Sequence, residues 1–141
     1  MSNSVVITSA VRTAVGSLGK SLKNVSGDSL GSSVITESIN KSQIKNDEID
    51  EVIMGQVLTG GAGQNPARQA AMKSGVPKEK PAYIVNQVCG SGLRSVASGF
   101  QSIKAGDSKI VIAGGQESMS LAPHAIHLRE GKKLGNTEMT D

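Results

Sequence analysis

The chain has no tryptophan, one tyrosine (Tyr83) and one phenylalanine (Phe100), so no aromatic cluster can anchor its core or give nucleic-acid bases a stacking platform. Burial must come from Val, Ile, Leu, Ala and Met. The 17 glycines among 141 residues allow close backbone approach, and thin, tightly spaced layers are expected. A single cysteine, Cys89, excludes an internal disulfide and any cysteine-rich zinc site, and no metal is expected. No apolar run approaches the roughly 20 residues of a membrane span, and the N-terminus lacks a basic segment followed by an apolar one. The expected address is therefore cytoplasmic, with no membrane partner. Fifteen Lys and Arg against twelve Asp and Glu give a net charge of +3. That mildly favours anionic small molecules but falls short of the basic stripe of a nucleic-acid binder, so no nucleic-acid partner is expected.

The length suits one domain that hides roughly two thirds of its unfolded surface. Short apolar runs rich in β-branched residues occur at Val5–Val11, Val52–Leu58, Ala82–Val88 and Ile110–Ala113. They lack strict polar alternation, as strands buried on both faces of a parallel sheet do. Helices are expected between them. One runs from Leu30 with Asp28 as its cap; one covers Pro66–Ser74, capped by Asn65 and stopped by Gly75; a third covers Gly90–Ala105 and ends at Gly106. In the third, Leu93, Val96, Ala97, Phe100 and Ile103 share one face. Alternating strands and helices with right-handed crossovers give an α/β fold with a largely parallel sheet. From Gln116 to Asp141 no apolar period is visible, and the segment reads as a long excursion.

Cys89 falls at the junction of the third run and the third helix, within Val88-Cys89-Gly90-Ser91-Gly92. A helix N-terminus turns unpaired NH groups and a partial positive charge on its first turn, which favours a thiolate. Gly90 and Gly92 would leave the sulfur uncovered and let backbone NH groups steady an oxyanion. The competing reading is a buried, inert small hydrophobe. Ala14-Val15-Gly16-Ser17-Leu18-Gly19-Lys20-Ser21 nearly spells a phosphate-binding loop, but its first glycine is missing and Asn24, Ser26 and Gly27 interrupt the helix it needs. Gly61-Ala62-Gly63 lacks the third glycine of a dinucleotide fingerprint. His124 and His127 have metal-sharing spacing without a second ligand pair, and read as surface histidines. Asp47, Glu48, Asp50 and Glu51 read as a solvated turn, and Arg129, Lys132 and Lys133 as a basic cluster open to phosphates or solvent.

Several segments together closely resemble the thiolases, in particular the biosynthetic acetyl-CoA acetyltransferases. They are Val11-Arg12-Thr13, Gly63-Gln64-Asn65-Pro66-Ala67-Arg68-Gln69, Asn86-Gln87-Val88-Cys89-Gly90-Ser91-Gly92-Leu93, Ala113-Gly114-Gly115-Gln116-Glu117-Ser118-Met119-Ser120, and Ala122-Pro123-His124. The resemblance implies a five-layered αβαβα sandwich, with this chain supplying most of the N-terminal βαβαβαβ half over residues 1–118. Residues 119–141 would begin the covering and tetramerisation loop.

It further implies that Cys89 is the acyl-accepting nucleophile in the reversible Claisen condensation of two acetyl-CoA to acetoacetyl-CoA and CoA. Coenzyme A enters as a thioester substrate and no separate cofactor is needed. In the family a Gly-His-Pro histidine and a second cysteine, both further along the chain, supply the base and complete the chemistry. These 141 residues alone are therefore expected to be inactive. The third run, opened by Pro81, would be a sheet edge that pairs between subunits of a homodimer or homotetramer. Two alternatives stand beside this reading: a non-catalytic acyl-CoA-binding or assembly module, and a P-loop nucleotide binder.

Overall fold

The structure is a computed structural model and describes residues 4–129, 131 and 133–141. Among them, three parallel strands, β1 (Glu51–Gly55), β2 (Ala82–Val85) and β3 (Val111–Gly115), form a sheet in the order β2-β1-β3. Helices α1 (Gly27–Ser42) and α2 (Pro66–Lys73) lie on one face and α3 (Ser91–Ala105) on the other. The topology explains the layering. The chain steps from β1 to β2 through α2, then returns past β1 to β3 through α3, and two parallel crossovers of one hand running in opposite directions must use opposite faces.

The central strand is buried along its whole length. Val52 and Met54 face a core built from Ile35, Ile39, Ile49, Ala67, Ala70, Ala71 and Val76. On the other face, Glu51 accepts hydrogen bonds from the hydroxyls of Ser102 and Ser108, while Gly55 lies under the start of α3. A strand covered on both sides has no polar face to alternate with, which is why the run at 52–58 reads as largely apolar. Of the acidic cluster read as a solvated turn, Glu51 is buried, and Asp50 accepts from the amides of Lys109 and Ile110 at 2.6 and 3.0 Å. These carboxylates brace the entry of β1 against that of β3.

Other expectations are corrected by the structure. Val5–Val11 is not a strand: it borders a cavity of about 830 Å³ lined also by α1, α3 and β3, and Val6 and Ile7 are 71% and 78% exposed. A β-rich run becomes a strand only where a ladder partner lies alongside, and among the described residues none does. The cap of α1 is Ser26, not Asp28. The third helix follows its expected bounds closely and ends at Gly106 in the left-handed conformation, and its apolar face is not the one that meets the sheet. Ser91, Ser95 and Gly99 are the buried face, while Leu93 is 78% and Phe100 48% exposed. Small residues let this helix settle low on the sheet, and its apolar face points away.

Asp28 joins α1 to α2 through an ion pair with Lys73. Burial pushes the Asp28 carboxyl up, but the Lys73 ammonium and the Ser26 hydroxyl outweigh it and hold the group below its ordinary 3.8. A lowered folded-state value means the pair stabilises the fold above the unfolded value and ceases to do so as pH falls through the folded one. Asp28→Asn should therefore cost about 1 kcal/mol in urea denaturation at neutral pH, since Lys73 is half exposed. The deficit should shrink as pH falls below the ordinary carboxylate range and through the lowered folded-state value; a deficit that does not change with pH would show that the charge is not its source.

Candidate active site

In a doubly wound sheet, the carboxyl ends of the strands are where loops can converge on a ligand. Here the loops leaving β1, β2 and β3 meet at that end, and Cys89 sits in the one joining β2 to α3. Among the described residues the thiol is exposed.

The turn that carries it is tightly built. Gly90 N donates to Gln87 O at 3.0 Å and Ser91 N to Val88 O at 3.1 Å. The buried Ser91 hydroxyl accepts from Gln87 N at 2.8 Å and donates to Val88 O at 2.6 Å. Val88 itself has φ +50°, in the left-handed region that a β-branched side chain rarely enters. Among the described residues the amides of Gly92 and Leu93, in the first turn of α3, have no backbone acceptor, as the first NH groups of a helix commonly do not.

Two glycines set the height of this helix start. A Cβ on Gly55 would overlap the backbone of Ser91 and Gly92, and one on Gly115 would come within 3.3 Å of Gly92 Cα. Ser95 then hydrogen-bonds with its hydroxyl to Gly114 O at 2.6 Å, tying the second turn to β3.

The remaining motif residues are staples. Asn65 caps α2 by accepting from Arg68 N at 3.1 Å and donates to Ala82 O at 2.8 Å. Arg68 donates to the carbonyls of Lys78 and Lys80, and Gln69 to those of Ala62 and Gln64. Glu117 accepts from Val57 N at 2.8 Å; Ser118 donates to Val25 O at 2.7 Å; Ser120 accepts from Gly19 N at 2.9 Å. That last bond occupies an amide the phosphate-loop reading would need. The segment continues into turns rather than a helix, so Lys20 has no nucleotide cradle.

His124 and His127 are exposed on the excursion, which an antiparallel bridge between Ala125 and Thr140 closes. Asp47, Glu48, Asp50 and Glu51 lie at the opposite end of the sheet from Cys89. Arg129 and Lys133 are exposed; Lys132 lies outside the described residues. Glu117 and Asn86 lie within the motif segments at 113–120 and 86–93, and nothing in the sequence alone gives either a role of its own.

The geometry defines a parallel α/β platform presenting one exposed thiol at a strand-to-helix turn. The family model for the thiolase N-terminal domain matches residues 5–141, and the chain belongs to that family. Among its relatives, an acetyl-CoA acetyltransferase of Rhizobium meliloti is 55% identical over 142 aligned residues, covering 100% of this chain and 36% of the relative. One from Shinella zoogloeoides is 50% identical with the same coverages, and the cytosolic acetyl-CoA acetyltransferase of Rattus norvegicus is 49% identical over 99% of this chain and 35% of its own length. The crystal structure of the Bacillus anthracis acetyl-CoA acetyltransferase superposes with a TM-score of 0.92 at 36% identity, over 96% of this chain and 35% of that one. The chain thus spans a little over a third of the length of the relatives it matches.

The height of α3 supplies a test. Gly55→Ala should destabilise the fold by about 1 to 3 kcal/mol, because backbone rather than a flexible side chain must move. Urea denaturation would measure the loss, and a neutral result would mean that α3 does not rest on Gly55.

Proposed function

We propose that the protein of which these residues form part is an acetyl-CoA acetyltransferase and that Cys89 is its acyl acceptor. The observation that carries this reading is an exposed thiol at the N-terminus of α3, on the platform of a family whose relatives bear that name. In the first half-reaction the Cys89 thiolate attacks the acetyl carbonyl carbon of acetyl-CoA. A new C–S bond forms, the old C–S bond to CoA breaks, and CoA departs as a thiolate that takes up a proton. One thioester replaces another of similar energy, so the step is freely reversible. The free amides of Gly92 and Leu93 favour negative charge at this end of the helix.

In the second half-reaction the α-carbon of another acetyl-CoA, after losing a proton, attacks the acetyl-Cys89 carbonyl and regenerates the thiolate. Among the described residues no base is hydrogen-bonded to Cys89, and the resemblance puts that base in a Gly-His-Pro segment beyond this chain. CoA is substrate and product, and no further cofactor is required by the scheme. No helix among the described residues is long and apolar enough to cross a membrane, and we take the enzyme to work in the cytoplasm. Strand β2 lies at an edge of the sheet with Tyr83 exposed, which supports pairing between subunits of a homodimer or a tetramer of such dimers.

Incubating the full-length protein with acetyl-labelled acetyl-CoA should leave one label on the peptide containing Cys89, detected by mass spectrometry, and Cys89→Ala should abolish it. Stoichiometric CoA binding without label on Cys89 would instead establish a non-catalytic acyl-CoA-binding module.

A further inference from the structure

We infer that Glu117 and Asn86 are positioning residues for Cys89, acting through a single peptide group between β1 and α2; this rests on reading Cys89 as the acyl acceptor. The starting point is Val88. A β-branched residue at φ +50° holds that conformation only where its surroundings impose it, and Val88 immediately precedes the nucleophile. On one side the Ser91 amide and hydroxyl hold its carbonyl. On the other, its amide donates to Asn86 Oδ1 at 3.0 Å.

Asn86 is exposed, so its orientation depends on what its other end holds. Asn86 Nδ2 donates to Val57 O at 3.3 Å. That carbonyl belongs to the Val57–Leu58 peptide, whose NH, on Leu58, points to the Glu117 carboxylate at 3.3 and 3.4 Å. The same carboxylate accepts from Val57 N at 2.8 Å. The relay therefore runs from the end of β3 through Glu117 to the Val57–Leu58 peptide, then to Asn86, the Val88 amide and Cys89. It links all three strand ends to the turn that aims the sulfur.

The chemistry of each link is specific. A carboxylate is acceptor-only and serves two neighbouring amides, whereas a Gln amide would turn a donor toward one of them. Drawing on the Leu58 NH polarises the opposite end of the same peptide, making Val57 O a better acceptor for Asn86. Asn86 needs both an oxygen and an NH₂, so Asp keeps the bond to Val88 and loses the one to Val57.

The experiment compares full-length wild type, Asn86→Ala, Asn86→Asp, Glu117→Gln and the Asn86→Ala/Glu117→Gln double variant in single-turnover acetylation from acetyl-CoA. Alkylation of Cys89 by iodoacetamide is measured in parallel. A small, undirected reagent does not depend on how the sulfur is aimed, while acyl transfer within a bound complex does. Asn86→Ala and Glu117→Gln should each lower the acetylation rate about 10- to 100-fold, leaving acetyl-CoA affinity and alkylation within about 2-fold of wild type. Asn86→Asp should fall between Ala and wild type, and the double variant should be no worse than the slower single one, because both cut the same relay. Multiplicative losses in the double variant, or parallel losses of alkylation and acetylation, would overturn the inference in favour of two independent loop staples. Unchanged acetylation in the single variants would overturn it too. Absence of label on Cys89 in the wild type would instead sink the reading on which it rests.

Discussion

The whole arrangement depends on how low helix α3 sits on the sheet. Gly55 and Gly115, at the ends of β1 and β3, leave no side chain between strand backbone and the first turn of the helix. Ser91, Ser95 and Gly99, spaced four apart, present the matching small face, and Ser95 converts the contact into a hydrogen bond to Gly114 O. Because the first turn is fixed by backbone against backbone, the turn that precedes it inherits the position. Cys89 is thereby held at the strand ends.

This contact also explains what was legible in the sequence and what was not. Alternating apolar runs and capped helical segments revealed α2, α3 and the three strands, because turn chemistry at Asn65, Pro66, Gly75 and Gly106 is local. Which face of α3 meets the sheet has no such local mark. Periodicity marks the side of a helix that is apolar, and Leu93, Val96 and Phe100 form such a side, but the sheet chose the small side, since only there can the backbones meet. Val5–Val11 failed as a strand for a related reason: β propensity is a property of a residue beside its neighbours, and the neighbour is a cavity. Asp28 carries the chemistry of a cap, yet Lys73, far along the chain, uses its charge instead.

Cys89 was legible as a candidate because a lone thiol followed by two glycines at a strand-to-helix junction has a local signature. Glu117 and Asn86 have none. Asn86 meets the Val88 amide two residues on, but its other partner, Val57 O, is 29 residues away and those of Glu117 are 59 to 60 away, and a backbone group leaves no mark on composition or spacing. The segments that carry the family resemblance prove to be mostly braces of this kind. Asn65, Arg68 and Gln69 fix the loops around α2, and Glu117, Ser118 and Ser120 tie the exit of β3 to segments at 57–58, 25 and 19.

On the proposed reading such bracing matters, because acyl transfer between thioesters offers little chemical driving force of its own. With reactant and intermediate close in energy, the rate is governed by how often sulfur and carbonyl carbon meet at a workable angle, and by whether donors wait where the oxyanion will form. A flexible loop would give the sulfur mobility that binding energy must then remove. A turn strained at Val88 and clamped on both sides has lost that freedom during folding, before substrate arrives. What this platform does not provide is cover. Cys89 and the apolar face of α3 both open away from the sheet, so on the proposed reading water must be excluded by another layer laid over that face. The exposed Leu93, Val96 and Phe100 follow Cys89 on the same helix, so the layer that buried them would also shelter the thioester. The low seat of α3 thus separates its two faces: small residues fix the Cys89 turn from beneath, and large ones are left exposed above.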